Sequence, residues 1–132
     1  MPGAILRVGG SKLGLQRFLA RSSFKPRRVY FRGEPVAPGS KVLASQSYCL
    51  VEASAASGSD FPQQLRDVQR FVRNNARDLR ALARHRLHAV VDFGVYDTRT
   101  AKRVLLSWRI PVPLLASLAK AGVEAELSLY DP

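Results

Sequence analysis

The chain has 132 residues, enough for one domain around a single core, and 46% of them are hydrophobic, which excludes a disordered tail. Its 21 Lys and Arg against 10 Asp and Glu give a net charge of +11, and no apolar run approaches the ~20 residues that a membrane-crossing helix needs. The opening MPGAILRVGG has no basic region followed by a long apolar stretch, and the single cysteine, Cys49, cannot close a disulfide within the chain, so a soluble protein of the cytosol with no membrane partner is expected.

Residues 4–8, AILRV, read as a short strand ended by Gly9 and Gly10. Ser11 can cap a helix running to about Ser22, with Leu15, Phe18 and Leu19 inward and Gly14 as its weak point. RVYFR at 28–32 alternates as a strand with Val29 and Phe31 on one face, and GEPVAPGS after it is turn chemistry. SYCLVEA at 47–53 is another strand, and SAASGS is a connector too short to separate domains.

Asp60 fits a helix N-cap, with Gln63 placed as a capping box requires and Pro62 in the first turn, where its missing N–H costs little. The helix is expected to continue to about Arg86, a rod of roughly 39 Å at 1.5 Å per residue. HAVVDFGVY at 88–96 alternates, with Ala89, Val91, Phe93 and Val95 on one face. DTRTAK then reads as a hairpin connection to a strand VLLSWRI at 104–110, whose Val104, Leu106, Trp108 and Ile110 share a face. Pro111 and Pro113 open a short helix that Gly122 stops, and VEAELSLY is the last strand, with Val123, Ala125, Leu127 and Leu129 inward. Six strands and three helices, interleaved but with two hairpins, predict a single α+β domain: a two-layer sandwich of a mostly antiparallel sheet with a long helix and two shorter ones on one side.

The charge is uneven. Residues 1–51 hold nine basic residues against one acid, a balance of +8, whereas residues 52–132 hold twelve against nine, a balance of +3. Within the long helix, Arg66, Arg70, Arg73, Arg77, Arg80 and Arg84 recur at steps of four and three. At about 100° per residue they fall within roughly 80° of one another, opposite the stripe of Leu65, Val68, Val72, Ala76, Leu79, Leu82 and Ala83. Only Asp67, three residues before Arg70, offers a helical ion pair. Like charges at this spacing cost a few tenths of a kcal/mol each, which a helix docked by its apolar side tolerates. The bland reading of such a row is a solvated face. The functional one is a docking face for an anionic partner, because guanidinium forks bind carboxylate and phosphate bidentately.

Chemistry is otherwise sparse. His85 and His88 stand without a metal-ligand cluster, and Gly9-Gly10-Ser11-Lys12 lacks the spacing of a phosphate loop, so it reads as a turn. Glu124 and Glu126 share a strand face on which Asp92 is a candidate neighbour, balanced by Arg7 and Arg109. Cys49 suits a small core residue better than a nucleophile. A sheet face with Tyr30, Tyr96 and Tyr130, flanked by Arg28, Arg32 and Arg109, could stack bases, although its acids would repel phosphate.

The helix LRDVQRFVRNNARDLRAL, the strand HAVVDFGVYD and the closing PVPLLASLAKAGVEAELSLYD together resemble a bacterial family known as domain of unknown function forty-two seventy-nine, mainly over residues 60–131; RRVYFRGEP is similar to that family's glycine-acid-proline turn. The resemblance implies a single α+β domain and brings no activity, cofactor or catalytic residue; the arginine row departs from the family's helix, which is richer in glutamate. From the residues, the expected function is a non-catalytic binding module, specifically an immunity protein that neutralises a toxin domain. Arg66, Arg70, Arg73, Arg77, Arg80, Arg84, Arg28 and Arg32 are the candidate contacts to an acidic partner, and no cofactor is implied. The alternative is sequence-tolerant nucleic-acid binding through the same arginines. The oligomeric state is left open.

Overall fold

The computed structural model describes residues 3–132. In chain order it has β1 (Ala4–Gly10), α1 (Lys12–Arg21), β2 (Arg28–Tyr30), β3 (Ser47–Ser54), α2 (Phe61–Asn74), α3 (Ala76–Ala81), a single 3-10 turn (Ala83–His85), β4 (His88–Tyr96), α4 (Val112–Ala121) and β5 (Val123–Tyr130). The five strands form one open sheet in the order β2-β3-β1-β4-β5. Every neighbouring pair is antiparallel except β4 and β5, which are parallel. The helices pack on one face, giving the expected mixed α+β architecture.

Strand alternation decides that face. Ala4, Leu6 and Val8 of β1, Cys49, Val51 and Ala53 of β3, and Ala89, Val91, Phe93 and Val95 of β4 are all buried against the helices. The alternate residues Arg7, Leu50, Val90 and Glu124, which are register neighbours of one another, occupy the opposite face. Ser11 caps α1 as its side chain predicts, its Oγ accepting from the Gly14 N–H at 3.0 Å. Phe18 of α1, Phe24 and Phe71 of α2 then form a ring ladder, with centroids 5.5 and 5.8 Å apart. Asp60 caps α2 by accepting from the Gln63 N–H at 3.2 Å, but only half of the capping box forms, because Gln63 Oε1 accepts from Arg66 at 2.8 Å and the Asp60 N–H donates to the Ser57 carbonyl at 2.9 Å. Gly122 ends α4 in the left-handed region, at φ 71°.

Two expectations need correction. The first is the sixth strand. The chain does turn after β4, with Thr100 and Arg103 exchanging backbone hydrogen bonds at 2.9 and 3.2 Å, but residues 104–110 join no ladder. The reason is that β4 already has both edges filled, by β1 on one side and β5 on the other. A parallel β4–β5 pair requires a crossover, which α4 provides, so the returning segment lies outside the sheet. It docks by Trp108 and Ile110, which pack against the core, with the Trp108 ring edge-on to Phe61 at 6.2 Å.

The second is the continuous rod. The long helix breaks at Asn75, whose backbone sits at φ −115°, ψ 19°. Both the Asn75 N–H and its side-chain amide donate to the Phe71 carbonyl, at 3.0 and 2.8 Å. An Asn side chain competing for a helical carbonyl is what makes it a poor interior residue. A new helix, α3, starts from the Asn75 carbonyl, and its Leu79 still reaches the core.

Gly14 explains itself in three dimensions. A Cβ there would lie 2.6 Å from the His85 carbonyl oxygen and 2.9 Å from Ser11 Oγ, so the missing side chain lets α1 seat directly on the 3-10 turn. Gly14→Ala is therefore expected to destabilise by about 1–3 kcal/mol, through steric overlap, despite alanine's better helix propensity. A urea midpoint equal to or above that of the unaltered chain would contradict this packing.

Candidate partner-binding surface

All six arginines of the row are exposed. Arg70 is the only one with an ion pair among the described residues, to Asp67 at 3.8 Å, and Arg66 hydrogen-bonds the neutral Gln63 Oε1 at 2.8 Å. Asp67 is committed elsewhere as well. The Ser54 hydroxyl donates to it at 2.7 Å, and that bond, with help from Gln63 and Arg70, holds its carboxyl below the usual range. Asp78, the other acid of this region, accepts from the Ser23 N–H and Oγ at 3.1 and 2.7 Å and so fastens the end of α1 rather than neutralising an arginine.

The row divides between two sides of the helical layer. Arg66, Arg70 and Arg73 join Arg109 around a groove of about 600 Å³ floored by Pro62, Leu65, Pro111, Pro113 and Leu114. This groove lies between α2 and the start of α4. Arg73 and Arg80 continue its edge into a smaller hollow beside Ser117 and Lys120, and Gln69 donates to Ser117 at 2.9 Å to hold α2 against α4 between the two. Arg77 and Arg84 turn the other way, to a cleft that they share with Arg21 and His85 next to α1.

Arg28 and Arg32 are not brought to the row. Arg28 lies on β2, the sheet edge farthest from β5, and donates to Tyr30 Oη at 3.3 Å, which raises its pKa further. Arg32 lines a separate hollow with Ser11, Lys12 and His88. The proposed aromatic face does not form either. Tyr30 stacks on Tyr48 with centroids 4.8 Å apart, whereas Tyr96 and Tyr130 are neighbours at the far end of the strand order, and Arg109 is in the groove instead of on the sheet. Periodicity found the arginines of α2 and α3. It had no means of finding Arg109, Lys120 or Arg21, which reach these hollows from distant parts of the chain.

The other candidates resolve into structural roles. Asp92 and Glu126 are register neighbours, but Asp92 accepts from Ser128 at 2.7 Å and Glu126 lies 3.6 Å from Arg7. Among the described residues no three His, Cys, Asp or Glu side chains group as a metal cage. His85 lies edge-on to Phe18, with centroids 6.1 Å apart. Gln64 is a core residue that apolar patterning passes over. It is fully buried, and its amide donates to the Gly94 and Ser57 carbonyls at 2.7 and 3.1 Å, tying α2 to β4 and to the connector before α2. Cys49 is fully buried, and desolvation pushes its thiol up to about 11. Its thiolate is therefore scarce near neutrality, and a disulfide reagent is expected to modify it far more slowly in the native chain than in concentrated guanidinium. Equal rates in the two conditions would show that β3 opens readily.

No described helix is long and apolar enough to cross a membrane. Compared with known proteins, the chain matches no family model, no curated protein and no solved structure.

Proposed function

We propose that the chain is a non-catalytic binding module that docks an acidic partner protein in the groove between α2 and α4, and that this partner is a toxin domain which the chain neutralises as an immunity protein. The observation that supports this reading is the groove itself. Four guanidinium groups, three of them without an ion pair among the described residues, rim a floor of proline and leucine. Charge at the rim steers a partner and apolar surface at the centre holds it, which is the usual division of labour at protein interfaces.

The second reading is sequence-tolerant binding of nucleic acid by the same arginines. The row, in which only Arg70 has an ion pair among the described residues, favours it; the floor does not, because single strands are held on aromatic planes and none lines the groove. Co-expression with each protein encoded beside this chain's own gene separates the two. Restored growth and a co-purifying complex are expected. Failure of both, together with a gel shift of any oligonucleotide that weakens steeply with salt, would replace the first reading by the second.

A further inference from the structure

Two halves of a strand pairing lie unmatched on this molecule. The first is β5, an outer strand with no partner on its free side among the described residues. Its helix-side residues Leu127 and Leu129 remain 40% and 47% exposed, although their register neighbours Phe93 and Val95 are buried. On α4, Ser117 faces α2, so Leu115, about 160° away around the helix, faces the β5 side; it is 46% exposed and extends the apolar strip. This edge also has its own charge. Residues 121–132 contain Glu124, Glu126 and Asp131 and no basic residue, in a chain whose net charge is +11.

The second half is the segment from Lys102 to Ile110. It alternates as a strand does, with Val104, Leu106, Trp108 and Ile110 on one face and Arg103, Leu105, Ser107 and Arg109 on the other, yet it has no ladder. Val104 and Leu105 are the most exposed large hydrophobic residues described, at 76% and 77%. The segment is basic through Lys102, Arg103 and Arg109. The apolar face and the charge sign each complement β5.

The two halves cannot meet within one chain. Trp108 is seated on Phe61 at the start of α2, and α4 lies between α2 and β5. At about 3.3 Å per residue, the four steps from Val104 to Trp108 cannot both follow the β5 edge and cross back over a helix ~10 Å wide.

We propose that two copies of the chain associate by exchanging this pairing: residues 103–107 of each copy add to the free edge of the other's β5 as a sixth strand. Val104 and Leu106 then cover Ala125, Leu127 and Leu129, and Arg103 reaches Glu124. The exchange is reciprocal, so one two-fold axis closes the assembly and satisfies both exposed edges. Direct pairing of β5 with β5 is the poorer arrangement, because it brings the carboxylates of Glu124, Glu126 and Asp131 from both copies together with only Arg7, 3.6 Å from Glu126, to offset them.

Sedimentation of the full chain across micromolar concentrations tests this, and it is independent of any partner protein. A species of twice the 14.6 kDa chain mass is expected to form with rising concentration. Glu124→Lys and Arg103→Glu should each raise the association midpoint at least tenfold, and the double variant should recover most of the loss. Circular dichroism of each variant reports whether the fold is kept. Mixing Leu106→Cys protein with Leu127→Cys protein under oxidation should give a mixed disulfide-linked dimer. A wild-type chain that stays monomeric throughout overturns the proposal. So does a dimer that ignores both charge changes and cross-links through Leu127→Cys alone, which would show strand-to-strand pairing of β5.

Discussion

Phe61→Ala is expected to lower the unfolding free energy by about 3–5 kcal/mol, the cost of removing a buried aromatic ring and leaving part of its cavity behind. Phe61 is the first residue of α2 and is 4% exposed. Its ring meets Phe93 edge-on at 5.5 Å, at the centre of β4, and Trp108 at 6.2 Å, on the segment that failed to become a strand. One side chain therefore joins sheet, helix and strap. Losing it removes the seat of Trp108, and with it the position of Arg109 one residue on. Because Trp108 is the only tryptophan, its fluorescence reports the strap directly. The folded variant should emit to the red of the unaltered chain as the indole meets water. Val112→Ala, at a site 75% exposed, should stay within about 0.5 kcal/mol of wild type and leave the emission unchanged. A Phe61→Ala chain with a loss under about 1 kcal/mol and unshifted emission would mean that the strap is held by something else.

The strap also shows where sequence reading stops. Alternation in 104–110 is real and marks a segment able to pair as a strand, but pairing depends on a free edge, and β5, arriving later in the chain, takes the one available on β4. Local chemistry was more legible. Ser11, Asp60 and Gly122 act at the helix ends where their side chains or lack of one predict, and the period of two in 88–96 picks out four buried residues correctly. The Asn74-Asn75 pair inside the arginine helix carried a breaking signal that the regular arginine spacing overrode, because each arginine is a good helix former and each asparagine only a mild opponent. Inward direction in β5 was read correctly as direction and wrongly as burial: Leu127 and Leu129 share a face with Phe93 and Val95, but the helical layer does not extend over them. For the candidate site, periodicity on one helix located the exposed arginines. The groove floor depends on α4 lying beside α2, a contact between residues more than forty apart in the chain that no local pattern encodes.

That division of the row sets up the strongest functional test. If the groove is the dock, reversing Arg66, Arg73 and Arg109 to Glu together should slow association with the partner about a hundredfold at low salt, since electrostatic steering accounts for the interval between ordinary and fast on-rates. Dissociation should change by only a few-fold, because rim charges act on encounter more than on the held complex. The difference between variant and wild type should close near 1 M salt, where the Debye length falls to about 3 Å. The triple variant Arg21→Glu/Arg77→Glu/Arg84→Glu is the matched control: the same three charge reversals, but on side chains turned to the cleft beside α1. Its effect on the on-rate should be several-fold smaller. Equal losses from the two sets would mean that the partner senses total charge rather than the groove, which is the behaviour of a polyanion tracking all six arginines. No loss from either would leave the row as a solvated face whose job is to keep α2 and α3 wet on one side while their leucines and valines hold the sheet.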